Sequence, residues 1–381
     1  MVPAELFARV EFPDRQVLAE AQQYQNTLVK PVGSLSRLEE IGCFISACQG
    51  QVPPKRIERA RVVVFAGDHG VASRGVSAFP SSVSLQMADS MHNGGAAINV
   101  LARAAGASVR VADISLDHEA SGDERVSRSC GSIDVEDAMT EEQVIHALEI
   151  GKRIADQEID SGADLLIPGD LGIGNTTPAA ALIGTFTLAE PVVVVGRGTG
   201  IDDEGWKRKV SAIRDAMFRA RHLRQDPIAI ARTISSPDLA AMAAFIAQAA
   251  VRRTPVILDG AVVTSAALLA NKLAPGARRW FIAGHRSPEP AHSVALDALG
   301  LKPLLEFGMR LGEGSGAAAA LPLVKAAVDL MIDMSTMESA NVDNRTVDAT
   351  TTVEVVTPEE AVTAGEAGAS ISTPAARTPT A

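Results

Sequence analysis

Short β-rich segments alternate with helical stretches along most of this 381-residue chain, and that alternation restricts the fold more than any other feature. Six such segments, at residues 62–66, 109–114, 165–168, 192–196, 256–259 and 280–283, each end in a glycine or an acidic loop. Continuous apolar runs such as Pro191-Val192-Val193-Val194-Val195 mark strands buried on both faces, and strand-helix alternation joins such strands in parallel through crossovers. The predicted fold class is α/β: a doubly wound, mostly parallel sheet of about six strands with helices on both faces.

Two flanks stand outside the alternation. Residues 1–28 and the helical stretch 315–342 are expected to pack together as a small helical domain beside a catalytic domain at 29–314. Residues 343–381 are rich in Thr, Ala, Pro and Glu and hold no aromatic residue. They cannot bury enough apolar surface to offset the entropy of ordering, so a disordered tail is expected there.

Composition excludes several function classes. With ten Phe, two Trp and one Tyr there are few platforms for stacking nucleic-acid bases, and a net charge of −11 without any basic stripe argues against a phosphate-backbone partner. No apolar run approaches the roughly 18–20 residues that span a bilayer, and the N-terminus lacks the regions of a signal peptide, so no transmembrane segment and a cytoplasmic location are expected. Cys43, Cys48 and Cys130 form neither a disulfide framework nor a zinc set and are expected as reduced, buried thiols. The seven histidines show no HxH or HExxH spacing, so no metal site is expected.

The strand-end loops carry nearly all the unusual residues: Gly67-Asp68-His69-Gly70, the run from Gly169 to Thr177, Gly196-Arg197-Gly198-Thr199-Gly200, Asp259-Gly260 and Gly284-His285-Arg286-Ser287. In open α/β sheets ligands bind at the carboxyl ends of the strands, so these loops are expected to face one pocket. The segment 169–178 follows a strand and opens a helix, with Thr176, Thr177 and Pro178 as cap and first-turn residues. It reads either as a phosphate cradle or as a tight turn. It is no Walker A loop, and neither its GxxGxG spacing nor the later GxGxG is a dinucleotide fingerprint, which disfavours an oxidoreductase. His69 reads as a loop hydrogen-bonding residue, and Arg286 either as an anion contact or as a surface ion pair. In the Lys207-Arg208-Lys209 cluster, one lysine is a candidate to point at the pocket. Glu313 stands among three glycines just before an alanine-rich helix, either as a carboxylate favouring a helix start or as one placed to meet a substrate.

Taken in order, several motifs resemble those of nicotinate-nucleotide:dimethylbenzimidazole phosphoribosyltransferases. They include Lys30-Pro31-Val32-Gly33-Ser34-Leu35, Phe65-Ala66-Gly67-Asp68-His69-Gly70-Val71, Gly75-Val76-Ser77-Ala78-Phe79-Pro80, Gly94-Gly95-Ala96-Ala97-Ile98-Asn99-Val100, Gly172-Ile173-Gly174-Asn175-Thr176-Thr177-Pro178 and Arg310-Leu311-Gly312-Glu313-Gly314-Ser315-Gly316. The resemblance runs from about Lys30 to Val342. It implies a homodimer with a Rossmann-like large domain, substrates nicotinate mononucleotide and dimethylbenzimidazole, and no cofactor. It implies that Glu313 is the catalytic base. Asp170, Gly172, Gly174, Asn175, Thr176, Lys209, Ser287 and Arg310 fall at positions resembling the nucleotide and phosphate contacts, and Ser81, Gln86 and Leu311 near the base pocket. Asp170 stands where some members carry Glu, which shortens its reach.

Overall fold

In the first strand, Ala60–Gly67 (β1), side chains alternate between two apolar surroundings, which is why the sheet must be covered twice. Val62, Val64 and Ala66 pack in one core cluster, Val63 and Phe65 in another. The computed structural model describes residues 6–343, and residues 6–336 of these fall in one compact unit. The expected tail lies outside the described residues from position 344 on.

The remaining strands are Ala107–Ser115 (β2), Leu165–Leu171 (β3), Val256–Leu258 (β4), Phe281–His285 (β5) and Pro303–Leu305 (β6). All pair in parallel in the order β2-β1-β3-β4-β5-β6. The chain leaves β1 outward to β2 and returns to β3 on the other side, so the order reverses between β1 and β3. A ligand crevice is expected at that point.

The helices are Arg15–Gln25 (α1), Arg37–Gln49 (α2), Ser82–His92 (α3), Ala97–Ala104 (α4), Glu141–Asp160 (α5), Thr176–Thr187 (α6), Pro191–Val194 (α7), Asp203–Ala220 (α8), Pro227–Ile234 (α9), Pro237–Val251 (α10), Ala261–Leu273 (α11), Pro290–Leu299 (α12) and Ser315–Asp333 (α13). One layer, from α5, α6 and α8 to α12, packs on Val63, Phe65, Leu166 and Val256; within it Phe245 of α10 meets Phe65 edge-on at 5.3 Å between centroids. The other layer, from α2, α3, α4 and α13, packs on Val62, Val64, Ile167 and Ile257.

The structure departs from expectation at four points. Residues 192–196 are not a strand: Pro191 opens the single helical turn α7, and Val192 and Val193 are half-exposed. Proline's fixed φ suits a helix start, and among the described residues no strand lies beside the valines to reward their β preference. Edge strand β6 is an addition to the expected set, because three residues starting with proline carry no period. Helix α13 ends at Asp333, as read from the sequence, but the expected continuation to 342 is not helical, since Met334 is extended and Thr336 bridges to Leu28. By length and composition α13 could cross a membrane, against the expectation that no run was long enough; over half of its window is buried here, with Ala317, Leu321, Val324 and Val328 against the sheet. Near its end Met331 joins Ala21 of α1 and Cys43 of α2 in a small separate cluster.

Candidate active site

The crevice between β1 and β3 is built from residues that end those strands. Asp68 and His69 follow β1, and both are buried. Asp68 Oδ1 accepts from the Ser84 hydroxyl of α3 (2.6 Å), and the same hydroxyl accepts from Ile173 N–H (3.0 Å). One buried hydroxyl therefore ties the β1 loop, helix α3 and the β3–α6 loop together. His69 is not a loop hydrogen-bonding residue: its Nε2 lies 3.5 Å from Asp238 Oδ2 in the first turn of α10. Burial opposes its charge, but Asp238 and, less strongly, Cys130 together outweigh burial and raise the imidazole pKa to about 10. A Cβ on Gly172 would run into Gly67 O and the His69 ring, so only glycine fits there.

Asp170, the sixth residue of β3, is buried. Its Oδ2 accepts from Asn175 Nδ2 (2.8 Å), while its Oδ1 has no hydrogen-bond partner among the described residues. Burial first, and then Asp259, push its pKa up to about 8, against the Asn175 bond. The Asp170 carbonyl accepts from Glu313 N–H (3.2 Å), which brings the two acidic residues of β3 and the 312–314 turn side by side. Glu313 is 4% exposed and has φ 64°, in a left-handed run with Gly312 and Gly314. Its Oε2 accepts from Ile98 N–H (3.3 Å) at the start of α4. Burial raises its pKa above the ordinary carboxylate range; the Ile98 bond opposes this and Asp259 adds to it.

A cationic end lies on the α6 and α8 side. Lys209 of α8 is fully buried and donates to Thr176 Oγ1 (2.7 Å). Burial lowers its pKa from 10.5 to about 8, with Glu289 working the other way. Glu289 Oε1 accepts from Gly198 N–H (3.0 Å), and Arg310 Nη1 donates to Gly198 O (2.9 Å). Ser287 N–H is held by His292 Nδ1 (2.9 Å). His292 Nε2 faces Thr264 Oγ1 (3.1 Å), whose own proton goes to Gly260 O, so the ring is the neutral Nε2–H tautomer. Burial and His285 depress its pKa to about 4, in keeping with that form.

This cleft thus combines two buried acidic side chains with a buried lysine at a helix start. The family model described as phosphoribosyltransferase matches residues 10–342. A nicotinate-nucleotide–dimethylbenzimidazole phosphoribosyltransferase of Corynebacterium efficiens is 86% identical over 343 residues, covering 90% of this chain and 93% of that protein. The chain belongs to the nicotinate-nucleotide–dimethylbenzimidazole phosphoribosyltransferase family. The Mycobacterium avium member is 57% identical over 342 residues, covering 89% of this chain and 98% of that one. The solved structure of the member from Thermus thermophilus matches with TM-score 0.82 at 40% identity, over 87% of this chain and all (100%) of that one.

For this phosphoribosyltransferase the structure brings Asp170, Gly172, Asn175 and Glu313 into one cluster, and Thr176, Lys209 and Arg310 into another around Gly198. Gly174 turns the chain into α6 at φ 94°. Ser81 and Gln86 belong to the α3 region, three residues before Ser84 and two after it, and Leu311 is 57% exposed just before the Glu313 turn. Arg286 makes the surface ion pair, with Glu306 at 3.3 Å, and Lys207 and Arg208 bond to Glu204 and Gly75 O. Of the thiols, Cys43 is buried and the other two only half-buried. Sequence reasoning missed Asp238, Ser84 and His292 as parts of the site. It named Asp259 only as a loop residue, although an acid directly after a buried strand was the available signal for it.

Proposed function

We propose that this chain transfers the phosphoribosyl group of nicotinate mononucleotide to 5,6-dimethylbenzimidazole with inversion at C1′. The products are α-ribazole 5′-phosphate and nicotinate, in assembly of the lower ligand of cobalamin. One imidazole nitrogen attacks C1′ from the face opposite nicotinate. The C1′–N bond to the pyridinium breaks with its electron pair going to nicotinate, and the proton of the second imidazole nitrogen goes to Glu313. Attack from the opposite face turns a β-nucleotide into an α-nucleotide.

The observation that carries this reading is the state of Glu313. It is buried, so its carboxylate is a stronger base than an exposed one, and Ile98 N–H holds Oε2, which leaves Oε1 for the proton. Its negative charge also favours the oxocarbenium-like transition state. Holding two rings in attack geometry can remove roughly 7–11 kcal/mol of barrier, and a placed base adds about 10²- to 10⁴-fold. Lys209, the start of α6 and the Gly198 turn are the proposed phosphate side, with Ser287 and Arg310; Ser81, Gln86 and Leu311 are the proposed side for the aromatic base. The reading extends to a homodimer, a small helical domain from both chain ends with boundaries at 28/29 and 314/315, and a cytosolic location.

The experiment is to mix protein with both substrates and resolve nicotinate and the α-nucleotide by mass. Glu313→Gln is expected to lose about 10²- to 10⁴-fold in kcat with nucleotide binding nearly intact. Wild-type turnover in that variant refutes the assignment.

A further inference from the structure

Glu313 sits in a turn that a residue with a Cβ does not adopt unaided. Gly312, Glu313 and Gly314 have φ of 88°, 64° and 85° in succession, and only the two glycines take such angles freely. Something must hold the middle residue there. The bonds from Glu313 N–H to Asp170 O and from Ile98 N–H to Glu313 Oε2 both act on Glu313 itself. Neither fixes the helix that follows.

Asp259, directly after β4, does that. Its Oδ2 accepts from Gly314 N–H (3.2 Å) and its Oδ1 from Ala317 N–H (2.9 Å). Gly314 is the cap position of α13 and has no side chain with which to satisfy the helix's first amides. A carboxylate 55 residues earlier in the chain does so in its place. Asp259 is 1% exposed, and His285 Nε2 stands 3.3 Å from Oδ1. Gly316 lies so close to that imidazole that a Cβ would overlap the ring, so the helix start, His285 and Asp259 form one packed unit.

A neutral amide could take only one of these two bonds; a carboxylate takes both, more strongly at a helix N-terminus, and acts electrostatically on Glu313 as well. The charged and titratable groups packed around the pair are Asp170 from β3, His285 from β5, His292 from α12 behind His285 and, acting on Asp170, Asp238 from α10. The start of α4 faces Glu313 from the other side through Ile98 N–H. Burial and the Asp259 charge raise the Glu313 pKa together, against the Ile98 bond.

We propose that Asp259 is a positioning residue for the proton acceptor: it caps α13 from a distant strand end and locks Glu313 in its left-handed turn. The inference rests on the reading of Glu313 as that acceptor. The test is the pH profile of kcat/KM in Asp259→Asn, with Asp259→Ser as a second uncharged variant that aims no N–H at the helix amides. Turnover is expected to fall roughly 10- to 100-fold through misplacement of the base. The acid limb, which requires ionised Glu313, is expected to move to lower pH because a like charge is gone. Circular dichroism over the same pH range separates ionisation from acid unfolding, and the limb is read only where each variant is folded. An acid limb that stays where the wild type has it in both variants overturns the proposal. A wild-type profile without an acid limb, or full turnover in Glu313→Gln, overturns the reading of Glu313 instead.

Discussion

Lys209 is held in a state that the fold alone would not choose, and replacing it separates stability from activity. It is 0% exposed, and its pKa is lowered from 10.5 to about 8 chiefly by burial. At about 1.4 kcal/mol per pH unit, that drop corresponds to roughly 3 kcal/mol of destabilisation at neutral pH. Lys209→Met keeps much of the length and the apolar stem. It loses the Thr176 bond, worth about 1 kcal/mol, and Thr176 is half-exposed and can turn to water. The net expectation is a variant about 2 kcal/mol more stable than wild type at pH 7. The sign with pH follows from proton binding. Between about 8 and 10.5 the unfolded chain still binds the lysine proton while the folded one has released it, so wild-type stability rises with pH there. The advantage of the variant is therefore full below pH 8 and fades toward 10.5. Urea unfolding of both proteins at about pH 7 and about pH 9.5 measures it, and the nucleotide kcat/KM of the variant should be at least about 100-fold lower. A variant less stable than wild type at pH 7, with a gap that does not change with pH, would refute the argument that the ammonium is buried at a cost for the sake of a phosphate.

Three further outcomes are expected. Ser84→Ala breaks the link between Asp68 and Ile173 and should cost about 2–4 kcal/mol in thermal or urea melts, together with a raised nucleotide KM because the β3–α6 loop loses its tie to α3. Gly172→Ala should be poorly folded or inactive, since the new Cβ meets Gly67 O, which is backbone and cannot swing away; circular dichroism and turnover check this. Glu289→Gln keeps an acceptor for Gly198 N–H but removes the charge that raises the Lys209 pKa, so the alkaline limb of nucleotide kcat/KM should fall below the wild-type position near pH 8.

The parts of the fold legible in the sequence are those set by local pattern. The strands around residues 62–66, 109–114 and 165–168 were readable because their apolar runs end in glycine or acidic turns, and they appear as β1, β2 and β3. The valine run after Pro191 misled because β-branched residues favour a strand only where a neighbouring strand offers a surface to pair with. Asp170 and Glu313 could be nominated from their glycine-rich settings. Their adjacency could not, because it depends on a backbone bond between residues 143 positions apart.

The sequence by itself determined the layer architecture, since periodicity and turn chemistry act over a few neighbouring residues; they left Glu313 open between a helix-start carboxylate and a substrate contact, and only the family resemblance gave it a role. Only the tertiary structure decided how those residues behave. Strand order sets which loops meet, so it alone brought Asp259 to the start of α13, Asp238 to His69 and Ser84 between two loops. Burial, a property of the whole packed chain, then turned an ordinary lysine and two ordinary carboxylates into groups with displaced pKa values.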